Sequence, residues 1–390
     1  MHDVYNLPVV MGPLANAIVM SGWSGVTLFF VLSGFLLFLP YAKYLLFEQP
    51  RPATRIFYWR RILRIVPSYY IAFVLLTTLM HPEYLHPDHV TRLLLFPFFL
   101  MDSPATYQQI NGPFWTLAIE VQYYVLLPLL VWVFSLFVRR GTSVSQRAWR
   151  ITACLAGMIL WGISTRYLGN YYSVQHPNET LLVPRPVLHQ ILLVVYGSTG
   201  KYLEDFAVGM LCSTLYILSR NANPASSVTR LLKRYGLLIG STGVALLLFM
   251  VCWYLFPQRA SLSPFIGDHQ FLTELGYASA YGLCILAILF GPSFLGVLFS
   301  LSPLRWLGSI SYGMYIWHLP FLFLVNDYIV KKIPTTFFSR YAILWACVFF
   351  ITVPVSYLLY RFIEQPCIRF SHQTRLRTGT KENITQVRGN

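Results

Sequence analysis

Charge is what this sequence has least of. Asp, Glu, Lys and Arg make up 11% of its 390 residues, against about 25% in an ordinary soluble domain. Acidic residues are the scarcer kind, 14 against 29 Lys and Arg. So few charges exclude a soluble globular fold, which could not cover the apolar surface that remains. The six cysteines are Cys154, Cys212, Cys252, Cys284, Cys347 and Cys367. None forms a CxxC pair and five lie in apolar stretches, so they offer neither a disulfide framework nor zinc spacing. They are expected to pack as small apolar residues. A Walker motif, a GxGxxG run and a zinc-protease helix are all missing. That leaves nucleotide hydrolysis without a basis and counts against an ATP-driven pump. No metal and no nucleic-acid partner is expected. No internal repeat and no long soluble domain is visible.

What is present is apolar. Hydrophobic residues make up 56% and aromatic residues 17%, the latter suiting Trp and Tyr belts at two lipid interfaces. A span needs about 20 mostly apolar residues. Nine runs qualify, near 25–46, 65–80, 114–137, 151–168, 202–219, 236–256, 274–291, 309–330 and 341–360. Met1 and His2 lead into polar sequence with no basic n-region and no cleavage site. The first run is too long for a signal h-region and reads as a retained span. The run 92–100 is too short to cross and holds Pro97, which suits an interfacial or re-entrant piece. The run 187–197 either lies on the membrane or extends the helix after it.

The fold class is therefore all-α, a polytopic transmembrane helix bundle over residues 1–370, with a polar tail at 371–390. The formal charge of +15 reads as basic cytoplasmic loops rather than as a nucleic-acid or anionic-lipid surface. Four basic stretches, at 47–64, 138–150, 220–235 and beyond 360, fall on one side of a nine-span chain. That side is assigned to the cytoplasm, with the C-terminus inside and the N-terminus outside. Lys331, Lys332 and Arg340 fall outside, against the rule.

Polar groups inside spans are costly and mark cavities or partners. Glu120 is the one acid of its span and sits about 9 Å in from the outer end at the helical rise. A structural pair with an Arg or His is one reading; function is favoured. His318 lies near the midplane, and a hydrogen-bonded core His and a functional His weigh equally. Ser311 and Tyr312 sit one turn in from the cytoplasm, where small residues also serve close helix packing. Glu204 and Asp205 open a span and read as a solvated first turn favoured by the helix dipole. His81, His86 and His89 read as a solvated loop. Arg60, Arg61 and Arg64 stand at a helix entrance, Arg61 and Arg64 on one face. Paired guanidinium groups suit phosphate oxygens, but spacing alone favours topology marking.

Six segments in order resemble the membrane-bound acyltransferase 3 family, over most of the chain. They are Gly25-Val26-Thr27-Leu28-Phe29-Phe30-Val31-Leu32-Ser33-Gly34-Phe35; Arg60-Arg61-Ile62-Leu63-Arg64-Ile65-Val66-Pro67; Phe114-Trp115-Thr116-Leu117 with Glu120 and Tyr124; Phe206-Ala207-Val208-Gly209; Leu307 through His318, with Ser309-Ile310-Ser311-Tyr312; and Ile363-Glu364-Gln365-Pro366. The resemblance implies a multi-span enzyme moving acyl groups, often acetyl, from acyl-CoA to hydroxyls of cell-surface glycans or lipids. The family's first helix carries an Arg and ends in a His implied in transfer. That helix and Arg are not in this sequence, whereas His2 stands where the His would be. A tenth helix is expected upstream.

On this resemblance, Arg60, Arg61 and Arg64 would hold phosphates of acyl-CoA (acetyl-CoA) at the cytoplasmic face. His2 and Glu120 would meet near the outer face, His2 as base or transient acyl carrier and Glu120 orienting it. Ser311, Tyr312 and His318 would line the donor channel, and Glu364 would brace the basic face. The expected partners are acyl-CoA, a glycan or lipid-linked acceptor and membrane lipids, in a bacterial cytoplasmic membrane. A glycan or lipid transporter and a noncatalytic membrane partner remain as other classes.

Overall fold

The computed structural model describes residues 17–18, 21–180, 183–221, 227–253, 272–333 and 337–371. Its long helices, in chain order, are α1 (Gly25–Phe47), α2 (Thr54–Leu79), α3 (Phe114–Val138) and α4 (Val144–Asn170). After them come α5 (Arg185–Val195), α6 (Leu203–Asn221), α7 (Ser227–Arg234), α8 (Gly236–Trp253) and α9 (Thr273–Phe290). The chain ends with α10 (Ser293–Phe299), α11 (Ser302–Tyr328) and α12 (Ser339–Ser371), the last carrying two wider π turns. No strand occurs among the described residues. The protein is an all-α polytopic membrane bundle, as its composition requires.

All nine apolar runs are helical. Among the described residues seven helices are long and apolar enough to cross a membrane, and an eighth is obtained when α10 and α11 count as one bent span. The ninth, α6, falls short because it carries Glu204, Asp205 and Arg220. The run 92–100 is not a span, since it follows the single helical turn Val90–Leu93 and continues in turns. The run 187–197 belongs to a helix of its own. Gly197 (φ 68°) and Gly200 (φ 100°) turn the chain between α5 and α6, which rules out a continuous helix.

The chain forms two compact units interleaved along the sequence. The first comprises residues 1–51 and 129–298, the second 52–128 and 299–390. In the first unit α1, α6 and α9 share a core of Val31, Phe35, Cys212, Ala278, Ile285, Leu286 and Phe290. The crossing of α1 and α6 is as close as two helices allow. A Cβ on Gly34 would lie 2.2 Å from the carbonyl oxygen of Phe206, and one on Gly209 would lie 2.0 Å from that of Val31. Only glycine fits at both places, and such small-residue contacts drive helix association in lipid. Two of the motif segments are thereby explained as two sides of one backbone contact.

In the second unit Tyr69 of α2 packs against Phe99 and Phe114, and its hydroxyl donates to the Phe96 carbonyl at 2.9 Å. Helix α11 contains Pro320, which has no N–H for the carbonyl four residues earlier. The Asn111 Nδ2 supplies the missing donor, 2.9 Å from the Ile316 oxygen. The connecting loop holds the His-rich stretch. There a backbone hydrogen bond, helped by the His81 ring at 3.0 Å, holds the Glu83 carboxyl below the ordinary carboxylate range.

Candidate functional site

The second unit gathers most of the residues singled out from the sequence. Glu120 is 4% exposed on α3. Its Oε1 accepts a hydrogen bond from the Tyr124 hydroxyl, one turn further along the same helix. The Arg61 guanidinium of α2 lies over the Tyr124 ring, 5.7 Å from its centroid, and 5.9 Å from that of Phe57. Arg61 also interacts electrostatically with Glu120 and Arg64. Sequence reasoning placed Glu120 and Arg61 at opposite ends of the site. The structure links them through Tyr124, whose ring and hydroxyl serve both.

The basic residues differ in what their N–H groups meet. Arg61 Nε and Arg60 Nε and Nη2 are buried without a hydrogen-bond partner among the described residues. Orphaned buried donors are rare and call for an acceptor. Arg64 is exposed and interacts electrostatically with Glu364 of α12 and Tyr124. Glu364 is buried and accepts from Ser68 Oγ at 3.4 Å. Its carboxylate thus interacts with one of the basic residues, Arg64. The orphaned N–H groups of Arg60 and Arg61 suit the oxygens of an anion.

On α11 the named residues separate. The Tyr312 hydroxyl donates to the Ile65 carbonyl at 2.9 Å, next to Arg64 on α2. Ser311 is exposed, its hydroxyl bonded to Gly308 of its own helix at 2.9 Å. It does not join the cluster, because adjacent helical residues point in different directions. His318 is half-buried, with Nδ1 2.8 Å from the Tyr315 oxygen and 3.1 Å from that of Met314. Carbonyls accept only, so Nδ1 carries the proton and Nε2 keeps the lone pair. Tyr315 reaches Thr116 on α3 at 2.6 Å. His2 lies outside the described residues, as does the tail from residue 372.

The first unit holds a second polar cluster that sequence reasoning missed. Glu204 and Asp205 do not form a solvated first turn, since they are 1% and 0% exposed. Arg166 of α4 grips Glu204 Oε1 through Nε at 2.8 Å and Nη2 at 2.6 Å. Its Nη1 donates to the Thr199 carbonyl at 2.7 Å, and its face lies 4.3 Å from the Tyr202 ring centroid. Glu274 of α9 accepts from Thr27 of α1 at 2.8 Å. A charged Arg166 inside the expected span 151–168, and an acid opening the span near 274, were the available signals. Both are the intramembrane charges that call for a partner. Among the described residues no group of three or more His, Cys, Asp and Glu is placed to hold a metal ion.

An all-helical bundle with charged networks inside its spans defines an integral membrane protein with an internal polar site. The comparisons narrow the class. The family described as "Acyltransferase domain" matches residues 4–361, and the chain belongs to that family. It is similar to the peptidoglycan O-acetyltransferase OatA of Listeria monocytogenes serovar 1/2a, 26% identical over 365 residues that cover 88% of this chain and 51% of the relative. It is equally similar, 26% over 365 residues, to the putative peptidoglycan O-acetyltransferase YrhL of Bacillus subtilis, with 88% and 50% covered. The O-acetyltransferase OatA of Staphylococcus aureus is 26% identical over 371 residues, covering 88% and 52%. The chain spans about half the length of these curated relatives. No solved structure matches it.

Proposed function

We propose that this chain is a membrane O-acyltransferase. It moves an acyl group, acetyl by its relatives' names, from cytoplasmic acyl-CoA to a hydroxyl of a cell-envelope glycan or glycolipid. The acceptor class follows from relatives named for peptidoglycan. The setting is the bacterial cytoplasmic membrane, with the C-terminus inside. The observation that carries the reading is Arg61, a half-buried arginine with an orphaned Nε and its guanidinium over the ring of Tyr124, which itself donates to Glu120.

The chemistry assigns each group a task. Arg60, Arg61 and Arg64 hold phosphate oxygens of the donor by charge-assisted hydrogen bonds. Tyr312, tied to the backbone beside Arg64, gives the donor channel a fixed wall, and His318 Nε2 offers an acceptor along it. His2 takes the proton of the acceptor hydroxyl as base. The oxygen attacks the thioester carbonyl, the new C–O bond forms, and the C–S bond breaks. The departing thiolate takes that proton back from the imidazolium, which restores His2. Glu120 stabilises the imidazolium that His2 becomes, and Tyr124 fixes the carboxylate while it does so.

Labelled acetyl-CoA supplied to membranes containing the full chain tests the reading. Label appears on a glycan or lipid, and Glu120→Gln or His2→Ala lowers its appearance at least tenfold. Transfer unchanged in both variants overturns the His2–Glu120 assignment. Label that never leaves the donor fraction overturns the enzyme reading in favour of a transporter or scaffold.

A further inference from the structure

The buried cluster of the first unit carries more acid than Arg166 balances. Thr27 is the third residue of α1, Glu204 and Asp205 the second and third of α6, and Glu274 the second of α9, while Arg166 lies four residues before the end of α4. The chain directions therefore bring all five to one end of the same four helices. Arg166 gives Nε and Nη2 to Glu204 and Nη1 to a carbonyl, which leaves a neutral pair. Glu274 has the Thr27 hydroxyl. Among the described residues Asp205 has no donor: both carboxyl oxygens are buried without a hydrogen-bond partner. It interacts electrostatically with Glu204, Glu274 and Arg166.

We propose that Asp205 is the proton-binding site of this unit, with the proton as its ligand. Two arguments select the proton over a larger cation. First, among the described residues no three His, Cys, Asp or Glu are placed to hold a metal ion, and the neighbouring Arg166–Glu204 pair is closely packed. A Cβ at Gly162 would come 2.3 Å from Glu204 Oε2, and one at Gly200 would come 3.1 Å from Arg166 Cζ. Second, Asp205 and Glu274 are buried carboxyls that interact electrostatically, and like charges held close disfavour ionisation of both. Glu274 already has the Thr27 hydroxyl and Asp205 has no donor among the described residues, so Asp205 is the carboxyl that needs the proton. The charged groups that act on Asp205 are its chain neighbour Glu204, Glu274 of α9 and Arg166 of α4. Thr27 of α1 joins the cluster through Glu274, and Lys201 and Tyr202 precede Asp205 in the chain. Helix α7 packs at the far end of α6, beside Arg220. Intramembrane carboxyls of this kind take up and release protons as their surroundings change. This makes the cluster a proton-sensitive element outside the Arg61–Glu120 site, and it does not depend on the acyl-transfer reading.

Infrared spectra of the full chain in lipid nanodiscs near neutral pH test the assignment. The difference between the native chain and Asp205→Asn is expected to show a protonated-carboxyl band that is lost in the variant, and Glu274→Gln is expected to retain it. A difference spectrum with no such band overturns the proposal. So does a band lost in Glu274→Gln and kept in Asp205→Asn. Thermal unfolding gives an independent reading if the spectra are crowded. A carboxyl that must keep its proton to stay buried loses stability as pH rises, whereas Asn does not. The melting temperature of the native chain should therefore fall relative to that of Asp205→Asn between mildly acidic and alkaline pH. A variant less stable than the native chain throughout that range would mean that the charged carboxylate is needed, and would overturn the proposal.

Discussion

The two units each set an arginine near a glutamate, Arg166 buried and Arg61 half-buried, and they use it in opposite ways. In the first unit Arg166 spends its donors on Glu204 and Thr199, and acids are left over. In the second unit Arg61 lies over Tyr124, which donates to Glu120, and among the described residues N–H groups are left over on Arg60 and Arg61. The first arrangement is closed on itself through the Arg166–Glu204 pair. The second has unfilled N–H groups and suits an anion. An arginine near a glutamate therefore says little alone; what its N–H groups meet decides whether it holds the fold or waits for a ligand.

Breaking the closed pair is expected to have the largest effect. Arg166→Ala leaves Glu204 buried at 1% exposure without its partner. Removing one member of such a pair costs about 3–5 kcal/mol, read as a lowered unfolding midpoint in detergent. A loss under about 1 kcal/mol would show that the two units do not differ as described. Next comes the crossing that holds the closed unit together. Gly34→Ala puts a methyl group against the Phe206 backbone, and overpacking of this kind costs about 1–3 kcal/mol. Helix α1 or α6 would have to move, and a native-like melting temperature would contradict the close contact.

In the second unit Asn111→Ala removes the donor that serves the Ile316 carbonyl opposite Pro320. The unsatisfied carbonyl costs about 1–3 kcal/mol, and faster amide exchange along α11 would report it. The smallest effect belongs to Ser311. Exposed and bonded to its own helix, it should tolerate Ser311→Ala within about 0.5 kcal/mol and leave acyl-CoA binding unchanged. A binding loss would bring Ser311 back into the site.

The bundle itself was legible because span length and hydropathy are local properties. Each of the nine apolar runs became a helix, and α6 failed the span rule for a visible reason, its three charged residues. Glu120, Arg61 and Tyr312 were legible as unusual polar groups. Their connection was not, although Tyr124 stands four residues after Glu120 and so on the same helix face. Glu204 and Asp205 misled because acids in a first helical turn are ordinarily solvated. What buries them is Arg166, 38 residues earlier, together with α1 and α9. Such long-range closure leaves no local mark. The Gly34–Gly209 contact is similar: each glycine is visible in its motif, but only the packed helices show that one needs the other.

The account rests most on Arg61 and its orphaned N–H. The measurement that tests it directly is equilibrium binding of labelled acetyl-CoA to the purified full chain, compared with Arg61→Ala and Ser311→Ala. The account predicts that Arg61→Ala weakens binding about tenfold or more, as loss of a charge-assisted hydrogen bond requires, and that Ser311→Ala binds as the native chain does. Equal affinity in the native chain and in Arg61→Ala would contradict it.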